Sequence, residues 1–97
     1  MNYSLHPEAE AELASAAAFY KQQAGLVIAK AFLTEFESVA KLLVQHPEIG
    51  ALTASGMRIH PFRRFPYSVI YRATPEGPRI FVVGHQHRRP NYWRGRA

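Results

Sequence analysis

The stretch YSVIYRATPEGPRIFVVGH, residues 67–85, contains the pattern that decides the fold. Aromatic and β-branched side chains at every second position from Tyr67 to Arg72 predict a strand. Residues 80–85 are apolar at successive positions, which predicts a second strand that is covered on both faces. The TPEGP segment between them, residues 74–78, is rich in turn-forming residues, so we expect the two strands to form a hairpin.

The sequence before this hairpin changes from a strand pattern to a helical one. Met57 and Ile59 alternate with polar residues, which predicts another strand after a loop over residues 48–56. Pro47 marks the end of a helix, and the apolar residues before it recur at steps of four, three and four: Phe32, Phe36, Val39 and Leu43. This spacing predicts a helix whose apolar face packs into the core.

An alanine-rich helix is predicted before that one, from Pro7 to about residue 23. Proline is best tolerated in the first turn of a helix, and acidic residues near that end interact favourably with the helix dipole. The apolar stripe of this helix consists of Leu13, Ala16, Ala17 and Tyr20. Gly25 is expected to end the helix, and so short a turn predicts that the two helices form an antiparallel hairpin.

The order of these elements defines the expected fold class. With a short first strand over residues 2–6, the chain is predicted to follow the order β-α-α-β-β-β. We therefore expect an α+β domain over residues 1–97, in which the helical hairpin packs on one face of a small, mainly antiparallel sheet. The opposite face of the sheet is expected to be open, with arginines at its margins.

Composition and length limit the class of protein. The chain has 97 residues, of which 47% are hydrophobic and 20% are charged, as in ordinary folded domains. It contains no cysteine, which excludes disulfides and thiolate zinc sites. It shows neither a secretion signal nor an apolar segment of about 20 residues that would span a membrane. We therefore expect a cytoplasmic protein that does not contact the membrane.

Arginine and the net positive charge are confined to the second half of this basic protein. Residues 1–50 contain three lysines and six glutamates, a net charge of −3, whereas residues 51–97 contain nine arginines and one acidic residue, a net charge of +8. Arginine binds carboxylates and phosphates through a planar fork, which lysine does not offer. The segregation predicts an arginine-rich face that meets an anionic partner, either nucleic acid or an acidic protein segment.

The C-terminal stretch GHQHRRPNYWRGR, residues 84–96, combines histidines with arginines and aromatic residues. On an extended strand His85 and His87 point to the same face, as a pair of metal ligands would. The neighbouring chain offers no third ligand of a suitable type, and its arginines disfavour a divalent cation. We therefore expect no metal and no other cofactor.

Metal-independent RNA cleavage is the catalytic chemistry that this stretch permits. Such cleavage requires a proton carrier and cations that stabilise the phosphate, and an aromatic ring can stack a base. The residues available for these roles are His85, His87, Arg64, Arg72, Arg88, Arg89, Tyr92 and Trp93. In the alternative interpretation the histidines are structural, Tyr92 and Trp93 fold back over the sheet edge or core, and Arg94 and Arg96 form a solvated tail.

Four segments of the chain match a known pattern: HPEAEAEL (6–13), QHPEIG (45–50), RRFPYSVIYR (63–72) and VVGHQHRRPNYWR (82–94), of which the last two are the specific ones. Through them the chain resembles the RelE/ParE superfamily of bacterial type II toxin–antitoxin toxins over nearly its whole length. The resemblance implies a small α+β fold and a growth-inhibiting toxin. It also implies a cognate antitoxin that holds the toxin inactive in a hetero-oligomer and wraps it with an acidic or amphipathic C-terminal segment.

The resemblance also bears on the mechanism, because RelE-like members cut messenger RNA on the ribosome and ParE-like members inhibit DNA gyrase. The RNA-cutting members usually carry an arginine three residues before the tyrosine of the strand, and Ser68 stands at that position here. This departure favours the ParE-like function, binding of DNA gyrase without chemistry. Two alternatives remain: a degenerate toxin that only binds antitoxin, and a ribosome-dependent endoribonuclease that uses Arg64, His85, His87, Arg88 and Tyr92.

The arginine- and aromatic-rich segments are therefore interpreted first as a contact surface for the target or the antitoxin. The residues predicted to form it are Arg58, Arg63, Arg64, Arg72, Arg88, Arg89, Tyr92, Trp93 and Arg94. In this interpretation His85 and His87 are structural or binding residues rather than catalysts.

Overall fold

The computed structural model of the chain describes residues 2–87, 92–93 and 95–96, and these form two helices and a five-stranded sheet. The elements in chain order are β1 (Ser4–Leu5), α1 (Pro7–Ala24), α2 (Leu26–Gln45), β2 (Ala51–Leu52), β3 (Arg58–Pro61), β4 (Tyr67–Thr74) and β5 (Gly77–His85). The predicted α+β class, with the helices between a first strand and the remaining strands, is confirmed.

The five strands are arranged in the order β1-β5-β4-β3-β2. Neighbouring strands are antiparallel except for β1, which runs parallel to β5 and pairs with it at two positions. Strand β2 lies within the segment that was predicted to be a loop, so that part of the prediction was wrong. Its two residues are exposed and show no alternation of apolar and polar side chains, and only pairing with β3 defines the strand.

The two helices begin and end at residues with clear local roles. The Nδ1 atom of His6 accepts a hydrogen bond from the backbone N–H of Glu8 at 3.1 Å, and Pro7 occupies the first turn of α1. Gly25 adopts φ 95°, a conformation that favours glycine, and it is the single residue that joins α1 to α2. Neither helix, over the part of the chain that the structure describes, is long and apolar enough to cross a membrane.

The main core lies between the helical hairpin and one face of the sheet. All four residues of the predicted stripe on α2, Phe32, Phe36, Val39 and Leu43, are buried there. On α1, Ala16 is buried, while Leu13, Ala17 and Tyr20 are partly buried against the same cluster. The sheet contributes Val69, Tyr71, Ile80 and Val83. The helical periodicity in the sequence therefore predicted the core-facing sides correctly.

The opposite face of the sheet carries a second apolar cluster, formed by Met57, Ile70, Phe81 and Val82. The register between β4 and β5 shifts by one residue after Ile70, so that Phe81 is the extra residue of a β-bulge. Such a bulge lets two consecutive side chains share one face. The prediction of an open face was wrong, because Tyr92 and Trp93 fold back and pack against this cluster.

Tyr71 connects the sheet to the segment that follows α2. Its side chain is fully buried, and its hydroxyl donates a hydrogen bond to the carbonyl of Pro47 at 2.8 Å and accepts one from the N–H of Gly50 at 3.0 Å. A Cβ atom at Gly50 would lie only 2.8 Å from the Tyr71 ring. The close approach therefore requires glycine at position 50.

Candidate functional site

The turn between β3 and β4 presents Arg63 and Arg64 to solvent, since both residues are exposed. Beside them Phe62 stacks on Phe32 of α2 with ring centroids 5.3 Å apart, which anchors the turn in the core. The carboxylate of Glu35 accepts hydrogen bonds from the backbone N–H groups of both arginines, at 3.0 Å for Arg64. The fold thus holds the backbone of the turn and leaves the two guanidinium groups available for a partner.

Arg58 has its guanidinium engaged within the fold. Its Nη1 atom donates hydrogen bonds to the carbonyl oxygens of Glu48 at 3.2 Å and Gly50 at 2.8 Å. These carbonyls belong to the segment between α2 and β2, so Arg58 ties that segment to the sheet. Contact of Arg58 with a partner stays a prediction, and this role within the fold is additional to it.

Arg72 of β4 and Arg79 of β5 lie directly opposite each other in the register of the hairpin. Each guanidinium carbon lies 5.7 Å from the centroid of the Phe81 ring. The ring of His6 approaches the same phenylalanine, with centroids 5.8 Å apart. Arg72 was predicted as a contact residue, whereas Arg79 and His6 were not.

His85 and His87 interact with each other at the end of β5. The Nδ1 atom of His85 accepts a hydrogen bond from the backbone N–H of His87 at 3.1 Å, and the ring centroids are 5.2 Å apart. The ring of His85 also meets the Tyr67 ring edge-on at 5.3 Å. These contacts give His85 a role in ordering the end of the strand.

His85 and Arg64, two of the predicted catalytic residues, line different clefts. His85 lies in an open cleft of about 380 Å³ between α1 and β5, which is also lined by Glu8, Glu12, Phe19 and Arg96. Arg64 lies at a separate cleft beside α2, with Thr34, Glu35 and Ser38. Arg88 and Arg89 lie outside the described residues. Within the described ranges, no group of three or more histidine and acidic residues is placed to hold a metal.

Glu12, in the second turn of α1, accepts four hydrogen bonds. Two come from Arg96, with Nη1–Oε1 at 2.8 Å and Nη2–Oε2 at 2.9 Å. The others come from the backbone N–H of Val83 at 3.0 Å and from the hydroxyl of Tyr92 at 3.2 Å. One carboxylate therefore joins the first helix, the last strand and the C-terminal segment.

Arg96 is an integral part of this network, so the interpretation of it as a solvated tail was wrong. Only 10% of its side chain is exposed, because it also donates to the carbonyl of Phe81 at 2.8 Å and lies 3.4 Å from the carboxylate of Glu8. The hydrogen bond with Glu12 raises the pKa of Arg96 above its ordinary value, and the nearby carboxylates add to this effect. Arg94, which was predicted as a contact residue, lies outside the described residues.

Tyr92 and Trp93 are both half-buried against the second apolar cluster. The guanidinium of Arg96 lies 5.5 Å from the centroid of the Tyr92 ring. A Cβ atom at Gly84 would overlap the Tyr92 hydroxyl, so the close approach of the C-terminal segment to β5 requires glycine there. The alternative interpretation, in which these aromatic residues cover the sheet, is confirmed, and their contact with a partner stays a prediction.

Reasoning from the sequence missed several residues with specific interactions, among them Glu12, Glu35 and Arg79. Glu8 and Glu12 are four residues apart on one helix and therefore share a face, which was a usable signal. Nothing in the sequence near Glu35 indicates that its carboxylate binds a turn 28 residues away. Arg79 was overlooked because the exact pairing of the hairpin was not predicted.

Comparison with known proteins defines the class of this fold. It is similar to a solved structure described as "Chromosomal ParDE TA system from P. aeruginosa", with a TM-score of 0.76 and 20% sequence identity over 88% of this chain and 95% of that chain. Residues 3–90 match the family described as "ParE toxin of type II toxin-antitoxin system, parDE". The chain belongs to this ParE toxin family. A sequence comparison with curated proteins finds no match.

Proposed function

We propose that this chain is the growth-inhibiting toxin of a type II toxin–antitoxin system, that a cognate antitoxin neutralises it, and that its target is DNA gyrase in the cytoplasm. The observation that carries the proposal is the match to the ParE toxin family over residues 3–90. The fold agrees with that of a chain from a ParDE system at a TM-score of 0.76. The wider RelE/ParE relationship inferred from the sequence belongs to the same proposal.

Binding without chemistry is favoured by Ser68 and by the positions of two of the candidate catalytic groups, Arg64 and His85. Ser68 stands where the RNA-cutting relatives usually carry an arginine, and the Nε2 atom of Gln86 lies 3.5 Å from the Ser68 hydroxyl oxygen. Arg64 and His85 line separate clefts, and a proton carrier and a phosphate-binding cation must act on the same bond. These observations support target binding over RNA cleavage.

A protein partner is also favoured by exposed apolar residues at the start of α2. Leu26 is 53% exposed and Val27 is 79% exposed, and Phe19 on α1 is 54% exposed. Leu26 and Val27 are consecutive residues, and adjacent exposed apolar side chains are typical of surfaces that other proteins cover. They suit the amphipathic antitoxin segment that the family resemblance implies.

Controlled expression in bacteria tests the proposed function. We expect growth to stop on induction, to recover when the product of the neighbouring gene is co-expressed, and purified toxin to inhibit supercoiling by gyrase. Transcripts cut within translated codons, with supercoiling unaffected, would instead establish the endoribonuclease. Unimpaired growth together with binding to the neighbouring gene product would establish a degenerate toxin.

The exposed turn between β3 and β4 provides a second, residue-level test. The variant Arg63→Gln/Arg64→Gln removes two exposed charges while the backbone bonds to Glu35 remain. If the turn contacts the target, the variant should lose gyrase inhibition by about tenfold or more at unchanged stability. The matched control is Lys30→Gln/Lys41→Gln, which removes two exposed charges from α2 and should leave inhibition intact.

A further inference from the structure

Arg72 and Arg79, called the arginine pair below, place two positive charges side by side on the β4–β5 hairpin, and no contact within the fold explains this arrangement. The two residues are direct cross-strand partners on β4 and β5. Like charges directly opposite each other destabilise a sheet. The hairpin therefore carries an electrostatic cost at this position, which an anion placed between the two guanidinium groups would remove.

Among the residues that the structure describes, no carboxylate forms an ion pair with Arg72 or Arg79. Over residues 2–87, 92–93 and 95–96, the ion pairs within 4.0 Å belong to Arg96, and neither Arg72 nor Arg79 takes part in one. The polar contact of the pair is a weak one, from Nη1 of Arg79 to the hydroxyl of Ser4 at 3.3 Å. Both guanidinium groups instead rest against Phe81, which orients them without neutralising their charge.

The burial of Phe81 indicates which class of anion fits between the two arginines. Only 7% of this residue is exposed, because it packs within the second apolar cluster and the two guanidinium groups and the ring of His6 also lie against it. Sites for single-stranded nucleic acid combine cations with an aromatic ring on which a base stacks. Because the Phe81 ring is buried, it cannot stack a base, and the two guanidinium groups that lie against it offer charge and hydrogen bonds, which is the chemistry that carboxylates require.

The spacing of the arginine pair matches that of two carboxylates on a helix. Directly opposed residues on antiparallel strands have Cβ atoms about 5 Å apart. Residues four positions apart on a helix have Cβ atoms about 5–6 Å apart. Two glutamates at this spacing on a partner helix would therefore each face one arginine.

We infer that the arginine pair beside Phe81 is the docking site for an acidic helix of the antitoxin, and that it binds two carboxylates four residues apart. The inference rests on the proposed function, because it assigns the partner to the antitoxin. It adds to the proposed function a specific binding site for the antitoxin, in which Arg79 is a binding residue and His6 lies beside it. In this complex the carboxylates remove the repulsion between Arg72 and Arg79.

A titration followed by nuclear magnetic resonance tests the site with a defined probe. The probe is an alanine-based helical peptide of about 16 residues with glutamates four positions apart, and the control peptide has glutamines there. We expect the Nε–Hε signals of Arg72 and Arg79 to shift with the glutamate peptide only. The variant Arg72→Gln/Arg79→Gln should weaken binding by about tenfold or more, while Lys30→Gln/Lys41→Gln, which removes the same charge from α2, should change it by less than about twofold.

Two results would overturn the inference. The first is that the glutamine peptide binds as tightly as the glutamate peptide. The second is that a single-stranded oligonucleotide displaces the glutamate peptide from the arginine pair. The proposed function is tested separately, by growth inhibition and its relief by the neighbouring gene product. Relief that is undiminished in Arg72→Gln/Arg79→Gln would refute this site and leave the toxin assignment intact. If expression of the chain does not inhibit growth and the neighbouring gene product has no effect, the toxin assignment is refuted, regardless of whether the peptide binds.

Discussion

Arg96 and Glu12, 84 positions apart in the sequence, form two parallel hydrogen bonds of 2.8 and 2.9 Å. This geometry is the strong, two-pronged form of an arginine–carboxylate pair. The same carboxylate accepts the N–H of Val83, which lies beyond the two residues of β5 that β1 covers. The pair therefore fastens the C-terminal segment and at the same time satisfies a strand edge that lacks a neighbouring strand.

The substitution Glu12→Gln tests how much this pair contributes to stability. It removes the charge that faces Arg96, whose side chain is 10% exposed, while keeping the size of the side chain. We expect the free energy of unfolding to fall by about 2–3 kcal/mol, as measured by urea denaturation. Glu10→Gln, at an exposed position on the same helix, should change it by less than about 0.5 kcal/mol. Equal effects of the two substitutions would contradict this role.

The buried hydroxyl of Tyr71 gives a second prediction. Tyr71→Phe keeps the packing of the ring but leaves the carbonyl of Pro47 and the N–H of Gly50 without their partner. Loss of a partner from a buried polar group costs about 1–3 kcal/mol, and we expect a loss of stability in this range from thermal or urea unfolding. The control is Tyr3→Phe, at a partly buried ring that packs against the same core just before β1, and it should reduce stability by less.

The fold was predictable because periodicity records which side of an element faces the core. The stripe on α2 reflects burial, and in β4 the alternating residues Val69 and Tyr71 face the main core, so both elements were predicted correctly. Ile70, between them, is also buried, because it packs in the second apolar cluster on the opposite face. Strand β2 was not predicted, because Ala51 and Leu52 are both exposed and a two-residue strand is defined by its hydrogen bonds rather than by its side chains. Local pattern therefore fails where pairing alone defines the element.

For the candidate contact surface, the sequence predicted the type of residue but not the geometry. The confinement of arginine to the second half indicated a basic face, but not which arginines are free. Arg58 and Arg96 are engaged within the fold, and Arg64 is exposed. The opposition of Arg72 and Arg79 depends on a register that shifts by one residue at Phe81. Such relationships depend on tertiary geometry, which residue spacing does not encode.

His60, on β3, is expected to make stability depend on pH. Burial lowers the pKa of His60 below its ordinary value of 6.5, so the unfolded chain binds more protons than the folded one just below that pH. Stability is therefore retained above pH 6.5 and lost as the pH falls from 6.5 towards the lower pKa of the folded state. We expect His60→Gln to flatten this part of the pH profile of unfolding. His46→Gln, at an exposed histidine, should keep it.

Gly84→Ala tests whether the C-terminal segment depends on its close approach to β5. The new Cβ would overlap the hydroxyl of Tyr92, so the segment has to move away from Glu12. Trp93, the only tryptophan of the chain, would then become more exposed, and we expect its fluorescence emission to shift to longer wavelength. A loss of stability of about 1–3 kcal/mol should accompany the shift.

Tyr92→Phe provides the control for this prediction, because it removes the oxygen with which the Cβ would collide. If the collision is the cause, Gly84→Ala should shift the Trp93 emission clearly less in the Tyr92→Phe background than in the wild type. The two substitutions should therefore be non-additive in both fluorescence and stability, as expected for residues in direct contact. Equal shifts in the two backgrounds would mean that Gly84 supports the strand itself and does not seat the C-terminal segment.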